Sequence, residues 1–480
     1  MTFSIDVRQS SRTDSQGGWE IAIRCGGTAF TRLFRARDSS PSDYLIAPPT
    51  QLAFWLTDNW WRLRWECMPA AGIAPDWRLA HDLSSAGGGY AWPRLAIWGE
   101  DERVGLLSHG DPPGVVGPVR YLSSDLAFVE AADFEDVCDT FLRNSIDAYT
   151  PDGTERTALR EQVHILEAER TDTEIAAWRR MEARLGFDPD DAPERTIESL
   201  TNLAKRYGQA GVDEAATAMP GVESADTLER EIEAARASRF VCDFGAALKA
   251  YDDEDIVRAT HPAPVVFSPF DNGEPSTPVS IDTLTGQQRP DRMPPWKLAE
   301  QSAQTLREAL GQTRGPLRNS VLTDLLGTAG DAFRARIPPS NSMLPYGLRL
   351  TDPGQTASHI AMRSWRPQDR RFEAVRALGD AIWARDDTMG PIAASKTARQ
   401  KFQRAFAQSL LCPYDDLIAY VGTERPGEGD ISAAARHFHV SERVVQTVLV
   451  NKHVLERHHL EPPFPRGTAA SGPEDYIDAR

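Results

Sequence analysis

A run of prolines is the feature that most limits how this chain can fold. Eight prolines lie between residues 261 and 295, with Ser, Asp and Gly among them. Proline fixes its own φ, lacks a backbone N–H and disfavours helix in the residue before it, so the run cannot form a regular helix or an inner strand. We therefore predict an irregular connection over residues 260–295, with separate hydrophobic cores before and after it.

The part before the connection changes in character near residue 150. Eight of the 12 tryptophans precede residue 100, and short runs of β-forming residues alternate there with Gly and Pro. We predict an α+β domain over residues 1–150 with its own aromatic core. A helical, acidic region is expected over residues 155–250, where Glu, Ala, Arg and Leu recur at helical spacing. The elements expected in the first domain are strands Trp19–Arg24, Arg94–Trp98 and Val104–Ser108, and a helix Asp133–Asn144.

The charge, hydropathy and cysteine pattern argue against several classes of protein. The net charge is −17, which disfavours nucleic-acid binding, because phosphate contacts require clustered Lys and Arg. No long apolar run occurs and the amino terminus lacks the apolar stretch of a signal peptide, so we expect a cytoplasmic protein that does not enter a membrane. The five cysteines are scattered without a Cys-x-x-Cys pair, as in a protein with reduced thiols and no zinc ribbon.

The part after the connection has the layout helix, two strands, then two helices. The apolar spacing predicts these elements at Trp296–Leu310, Tyr346–Thr351, Ala357–Ser364, Arg371–Arg385 and Lys396–Leu411. The last of these helices is ended by Cys412-Pro413, because proline cannot continue it. A further pair of helices is expected over residues 426–460. Residues 461–480 are rich in Pro, Gly and Ser and are expected to form a flexible tail.

Two of these helices carry a pattern that resembles a known family. Residues 370–380 read Arg-Arg-Phe-Glu-Ala-Val-Arg-Ala-Leu-Gly-Asp, and residues 400–413 read Gln-Lys-Phe-Gln-Arg-Ala-Phe-Ala-Gln-Ser-Leu-Leu-Cys-Pro. The pair resembles the ImmA/IrrE family of metallopeptidases. In that family a helix R-F-x-x-A-H-E-L-G-H supplies two His ligands and a Glu base, and a later helix E-x-x-A-N-x-F-A-x-x-L-L-x-P supplies a third ligand. The resemblance covers residues 296 to about 455, rests on apolar framework positions, and implies a zincin-like domain over residues 296–425.

The same resemblance indicates that the metal site is lost. The His-Glu-x-x-His chemistry needs two imidazoles one helical turn apart and a Glu that activates the metal-bound water. Carried across, the first ligand falls on Arg376, the base on Ala377, the second ligand on Asp380 and the third on Gln400. Arg cannot release its proton to bind a metal, and Ala has no base, so we expect neither a metal nor another cofactor. Arg376 and Asp380, at i and i+4, are expected to form an ion pair in its place.

A helix-turn-helix pattern follows in residues 431–454. Small and apolar residues occupy the positions that such a motif buries, and Ser441 is placed to cap the second helix. For DNA reading, that helix would present Arg443, Gln446 and Thr447. Glu442 at its start opposes phosphate contact, so the pair is expected either to pack against the preceding domain or to bind DNA.

Several functions are compatible with this sequence. The first is a non-catalytic regulatory protein whose zincin-like groove binds a protein or peptide partner along an edge strand. The alternatives are a transcription regulator that uses the helix-turn-helix, and an active peptidase with non-standard metal ligands. The alternative interpretation of the two helices is that they are merely amphipathic and match the family by accident. The resemblance implies a bacterial setting of stress response or phage-related regulation. The strand expected to line the groove comprises Ala357, Ser358, His359, Ile360, Ala361 and Met362.

Overall fold

The computed structural model describes most of the chain on both sides of the proline-rich connection. Residues 260–293 of that connection and the tail, residues 461–480, lie outside the described residues. The described ranges are 2–10, 18–37, 40–69, 73–100, 102–112, 117–150, 153–238, 240–244, 294–328, 333, 346–352, 355–384, 387–423, 425–456 and 460.

The described residues form strands and helices in a mixed α/β arrangement with several small sheets. The strands are β1 Phe3–Gln9, β2 Trp19–Cys25, β3 Thr28–Ala29, β4 Leu33–Arg35, β5 Leu45–Ile46, β6 Arg94–Glu100, β7 Arg103–His109, β8 Val119–Tyr121, β9 Leu126–Glu130, β10 Val241–Asp243, β11 Gly347–Thr351, β12 Ala357–Ala361 and β13 Met389–Ile392. The helices before the connection are α1 Pro49–Trp65, α2 Pro75–His81, α3 Ala131–Asn144, α4 Thr154–Thr171, α5 Thr173–Arg184, α6 Glu194–Tyr207, α7 Gln209–Ala218 and α8 Ser224–Ala237. Those after it are α9 Pro295–Ala309, α10 Asn319–Leu325, α11 Pro367–Trp383, α12 Ala398–Leu411, α13 Tyr414–Val421, α14 Glu428–Phe438 and α15 Glu442–Asn451.

The chain divides into two compact units, and the division differs from the one drawn on the sequence. The first unit comprises Met1–Thr201 with Met219–Ser224, and the second comprises Asn202–Ala218 with Ala225–Arg480. The helices of the region 155–250 are divided between the two units: α4 and α5 belong to the first, and α7 and all of α8 after Ser224 to the second. Helical spacing shows that a segment forms a helix, but not which core the helix packs against.

The first unit has an α+β fold around an aromatic core. Its sheets are antiparallel: β1, β2, β3 and β5 form one, β6, β7 and β9 a second, and β4 and β8 a third. Helix α1 buries Trp55, Trp60 and Trp61, each no more than 6% exposed. Burying large aromatic side chains supplies much of the hydrophobic stabilisation of so small a unit. The predictions of strands in this unit and of a helix at 133–144 are confirmed.

The second unit is built on one antiparallel sheet in the order β10-β12-β11-β13. Strand β12 pairs with β11 on one side, and on the other side Ala357, Ser358 and His359 pair with β10. The prediction that residues 357–362 form an edge strand is therefore wrong. The covering strand β10 lies more than a hundred residues earlier in the chain, where local sequence around β12 gives no sign of it.

The helices after the connection share one hydrophobic core. Helices α9 and α11 both pack against α12. The buried side chains of α14 and α15, among them Ala434, Phe438, Val445 and Leu449, belong to the same core. Two helices are thus present within the range 426–460, and their apolar side chains are used for packing. In the described part of the chain, no helix has the length and apolar content needed to cross a membrane.

Candidate functional site

Helices α11 and α12 bring the expected ligand positions together. Helix α11 begins with a proline, which favours the first helical position. Helix α12 begins after Thr397, whose hydroxyl accepts a hydrogen bond from the Gln400 N–H at 3.2 Å. Gly379 lets the helices approach closely, because a Cβ there would lie 3.0 Å from the ring of Phe406. Arg376, Asp380 and Gln400 consequently meet in one buried polar network.

The guanidinium group of Arg376 occupies the centre of this network. Its Nη2 donates to Gln400 Oε1 at 2.6 Å, to Gln403 Oε1 at 3.3 Å and to the Ala393 carbonyl at 2.6 Å. Gln400 in turn accepts from the Ala393 N–H at 2.9 Å and donates to the Pro391 carbonyl at 2.7 Å. Both amide ends of Gln400 are therefore satisfied by the protein itself.

Asp380 pairs with two arginines that lie outside its own helix. Arg399 reaches it with Nε at 2.6 Å and Nη2 at 2.9 Å, and Arg349 Nε donates to it at 3.0 Å. The Gln403 amide also donates to Asp380, at 2.6 Å. The expected ion pair between Arg376 and Asp380 is not the contact formed, because Asp380 takes its partners from strand β11 and helix α12 and not from its own helix.

The charges of the network fix the protonation of its members. Burial alone would raise the pKa of Asp380, but the guanidinium groups of Arg399 and Arg349 hold it below its usual value. Burial lowers the pKa of Arg376 to about 9, so the side chain remains charged at neutral pH. Asp387 balances a further charge, accepting from Arg399 Nη1 at 2.7 Å. The site thus holds three guanidinium groups against two carboxylates.

A glycine in β13 makes room for Asp380. A Cβ on Gly390 would lie 1.6 Å from Asp380 Oδ2, closer than any real contact. The neighbouring strand residues are bound from the same side: Arg399 Nη2 donates to the Met389 carbonyl at 3.1 Å, and Gln403 donates to the Pro391 carbonyl at 3.0 Å. These contacts occupy carbonyls of β13 that a peptide would need in order to extend the sheet.

The strand expected to line a peptide groove is instead held inside the sheet. The Ser358 hydroxyl hydrogen-bonds to that of Thr351 at 2.6 Å, and the Ile360 N–H donates to the Phe240 carbonyl at 2.9 Å. Ser358 and Ile360 are no more than 1% exposed. A peptide therefore cannot add alongside β12 without first displacing β10.

The residues proposed for DNA contact lie on or near the surface of α15. Arg443 is exposed and donates to the Leu460 carbonyl, and Gln446 and Thr447 are half-buried. The Thr447 hydroxyl donates to the Arg443 carbonyl at 2.7 Å, within its own helix. Ser441 stands at the start of α15, yet its side chain makes no capping hydrogen bond. Of the three residues proposed for DNA contact, Arg443 is therefore the exposed one.

Across the described ranges, no three or more His, Cys, Asp or Glu side chains are grouped so that they could hold a metal ion. The sequence matches no family model. No curated protein matches it, and no solved structure does. The resemblance to ImmA/IrrE metallopeptidases therefore rests on the sequence positions alone.

Proposed function

We propose that this protein is a non-catalytic, protein-binding regulator built on an ImmA/IrrE-like metallopeptidase fold that has lost its metal site. Three positions of the family's ligand set, which lie on two helices, converge in one buried cluster. This convergence supports a common architecture, because chance amphipathic helices have no reason to bring those three positions together. The residues found there, Arg376, Asp380 and Gln400, are those of a closed hydrogen-bond network.

The observation that carries the proposal is the guanidinium group of Arg376. It bridges the two helices by bonding to Gln400 and Gln403 at 2.6 and 3.3 Å, where a metallopeptidase would place a cation. A fixed positive charge buried at that point repels a divalent ion strongly, since Coulomb interactions are weakly screened inside a protein. Arg349 and Arg399 add two more charges of the same sign around Asp380. A zinc ion would have to displace this network to bind.

The general base is missing as well. Ala377, at the position of the family's catalytic Glu, is fully buried and has no ionisable group. Asp380 could serve only if it left Arg349 and Arg399, and separating a buried ion pair costs about 3 to 5 kcal/mol. Metal-assisted peptide hydrolysis requires a set of metal ligands and a general base, and other residues stand at both places here. Partner binding remains as the function that such a fold can keep.

A peptidase assay of the intact protein tests the non-catalytic half of the proposal. A mixed peptide library is incubated with the wild type and with Asp380→Asn, each with and without added Zn²⁺. We expect no cleavage that depends on zinc or on Asp380. Zinc-stimulated cleavage that disappears in the variant would contradict the proposal, and it would favour a peptidase with non-standard ligands.

The partner-binding half is tested separately. Crosslinking of the full-length protein in its native cell, followed by peptide mass spectrometry, is expected to return one dominant protein partner crosslinked through the second unit. Crosslinks that vanish when this partner is absent, and return when it is restored, would establish the interaction. A preparation that remains free of protein crosslinks under stress and resting conditions would refute it.

A further inference from the structure

Helix α7 packs against β13, the last strand in the sheet of the second unit. The two elements approach closely at Gly211, where a Cβ would lie 2.6 Å from the carbonyl oxygen of Met389. Glycine is unfavourable inside a helix, and this close approach to β13 explains its presence in α7. Just before α7, the Thr388 hydroxyl donates to the Tyr207 carbonyl at 2.7 Å. The segment is thus fitted to the strand along its backbone.

A carboxylate of α7 is bound at the start of α12. Glu214 is 3% exposed, and its Oε1 accepts hydrogen bonds from the hydroxyl groups of Thr397 at 2.5 Å and Ser395 at 3.3 Å. Both hydroxyls lie in the residues that lead into α12. The N-terminus of a helix carries the positive end of its dipole and favours a negative group. This place therefore binds an anion, and the chain supplies that anion from its own helix.

The side chains of α12 favour the same sign of charge in a ligand. The helix carries three cationic residues and no acidic one. Burial lowers the pKa of Arg404 to about 10, and among the described residues Glu214 is the carboxylate that opposes this shift. The nearby carboxylates Asp380 and Asp387 are already paired with Arg399 at 2.6 and 2.7 Å. Glu214 consequently brings a negative charge to a face that is otherwise cationic.

The attachment of α7 depends little on apolar contacts. Val212 is its only apolar side chain larger than alanine. The helix lies between Gly208 and Gly221, whose φ values of 95° and 101° are readily adopted by glycine. The stretch Asn202–Ala218 belongs to the second unit, whereas the chain directly before and after it belongs to the first. Because elements with few buried apolar contacts open most readily, we expect α7 to leave β13 while the sheet stays intact.

We propose that α7 is an autoinhibitory segment that occupies the docking face of the protein partner, and that the partner replaces it with an acidic helix of its own. The docking face comprises β13 and the start of α12. The inference rests on the proposed function and names the chemistry that the partner must offer: a carboxylate in the place of Glu214, and a small residue where the helix meets the Met389 carbonyl. The net charge of the chain, −17, does not attract such a partner over long range, so recognition depends on these local contacts.

Hydrogen exchange of the full-length protein, followed by mass spectrometry, measures the release of α7. In the wild type the amides of α7 should exchange at least about tenfold faster than those of β11, because α7 opens without the sheet. Gly211→Val should raise the exchange of α7 by at least about tenfold more, because the new side chain collides with the Met389 carbonyl. Valine favours helix more than glycine does, so a weaker helix would not explain the rise. Gly429→Val, on α14 with nothing within 4 Å of its Cβ, is the matched control and should leave α7 unchanged.

A synthetic peptide tests the docking face itself. The probe is a fluorescent peptide of residues 206–221, titrated against the full-length protein by fluorescence anisotropy. It should bind Gly211→Val saturably, with a dissociation constant on the order of 100 µM. It should bind the wild type at least about tenfold more weakly, because α7 competes from within the same chain. A peptide that carries Glu214→Gln should bind the variant about tenfold more weakly than the native peptide, and a scrambled peptide of the same composition should not bind.

A second protein variant provides for the case in which Gly211→Val does not fold. Glu214→Gln keeps the shape of the side chain and removes only its charge. It should raise the exchange of α7 by about threefold to tenfold, because a neutral amide holds the Thr397 hydroxyl and the nearby guanidinium groups less strongly than a carboxylate does. The native peptide should bind this variant more tightly than it binds the wild type.

The opposite results would overturn the inference. Exchange of α7 that matches that of β11 in the wild type and in both variants would make α7 a fixed part of the fold. Equal binding of the native and scrambled peptides, or no binding of the native peptide to a released variant, would remove the docking face. Dimers of Gly211→Val that exchange α7 would assign the face to a second copy of the chain and refute the partner. A partner that crosslinks to the second unit away from β13 and α12 would contradict this inference and leave the proposed function standing.

Discussion

The folded second unit is expected to lose stability as pH rises from about 5 to 8, because of one buried carboxyl group. Glu231 on α8 is fully buried, and neither of its carboxyl oxygens has a hydrogen-bond partner among the described residues. Burial, with the charge of Glu373 added, raises its pKa from 4.5 to about 8, against smaller opposing effects of Arg363 and Arg230. Burial, with the charge of Glu231 added, raises the pKa of the Tyr346 hydroxyl, which is also without a partner in the described part of the chain.

The sign and size of the effect follow from proton linkage. Between the two pKa values the folded chain keeps a proton that the unfolded chain has lost, so the free energy of unfolding falls as pH rises through this window. The slope is about 1.4 kcal/mol per pH unit for one proton. Over the whole window the ionised Glu231 costs at most about 5 kcal/mol, and above the folded pKa the dependence becomes flat.

Urea unfolding of the wild type and of Glu231→Gln between pH 5 and pH 8 measures this effect. Gln has nearly the shape of the protonated acid but cannot ionise, so we expect similar stabilities near pH 5 and a variant that is more stable by a few kcal/mol at pH 8. Glu233→Gln, an exposed position on the same helix, should follow the wild type. Curves for the wild type and Glu231→Gln that remain parallel from pH 5 to 8 would refute the reasoning.

Three further predictions concern the buried network and the helix pair. In urea unfolding, Gly390→Ala should lower the free energy of unfolding by about 3 kcal/mol or more, because the added Cβ would collide with Asp380. The control Gly429→Ala, whose Cβ would meet nothing within 4 Å, should be neutral or slightly stabilising. Equal losses in the two variants would contradict the close contact between Gly390 and Asp380. Asp380→Asn should lower the free energy of unfolding by about 3 to 5 kcal/mol in the same assay, because the buried arginines lose their charged partner. A decrease of less than about 1 kcal/mol would show that the ion pairs are open to solvent. In gel-shift assays with DNA at low salt, neither the wild type nor Arg443→Ala should form a salt-sensitive complex. A DNA complex that forms with the wild type alone and weakens steeply as salt is added would show DNA binding through Arg443.

The sequence predicted where the two central helices lie and which positions they share. The family resemblance, carried by apolar framework positions such as Leu378 and Phe406, assigned Arg376, Asp380 and Gln400 to one site, and the packing of α11 against α12 brings them together. The partners of Asp380 were not predictable in this way. Arg349 lies in β11, 31 residues before Asp380 in the chain. The spacing of residues within a helix carries no information about contacts with such a distant strand.

Two signals in the sequence could have located more of the site. Arg399 and Gln403 lie one turn apart on α12, on the side that carries Gln400. Three polar residues on one face of an otherwise apolar helix indicate a buried polar cluster. Gly390, inside a strand, indicated a close approach by another group. The position of β12, by contrast, depends on β10, which pairs with it across the proline-rich connection. Long-range pairing of this kind leaves no periodic pattern near the strand itself.

The metal content of the purified protein tests the central claim most directly. The full-length chain is incubated with Zn²⁺, dialysed, and analysed by inductively coupled plasma mass spectrometry beside Asp380→Ala. The closed network of Arg376, Asp380 and Gln400 predicts far less than one zinc per chain, with no difference between the two proteins. One zinc retained per wild-type chain and lost in the variant would contradict the account.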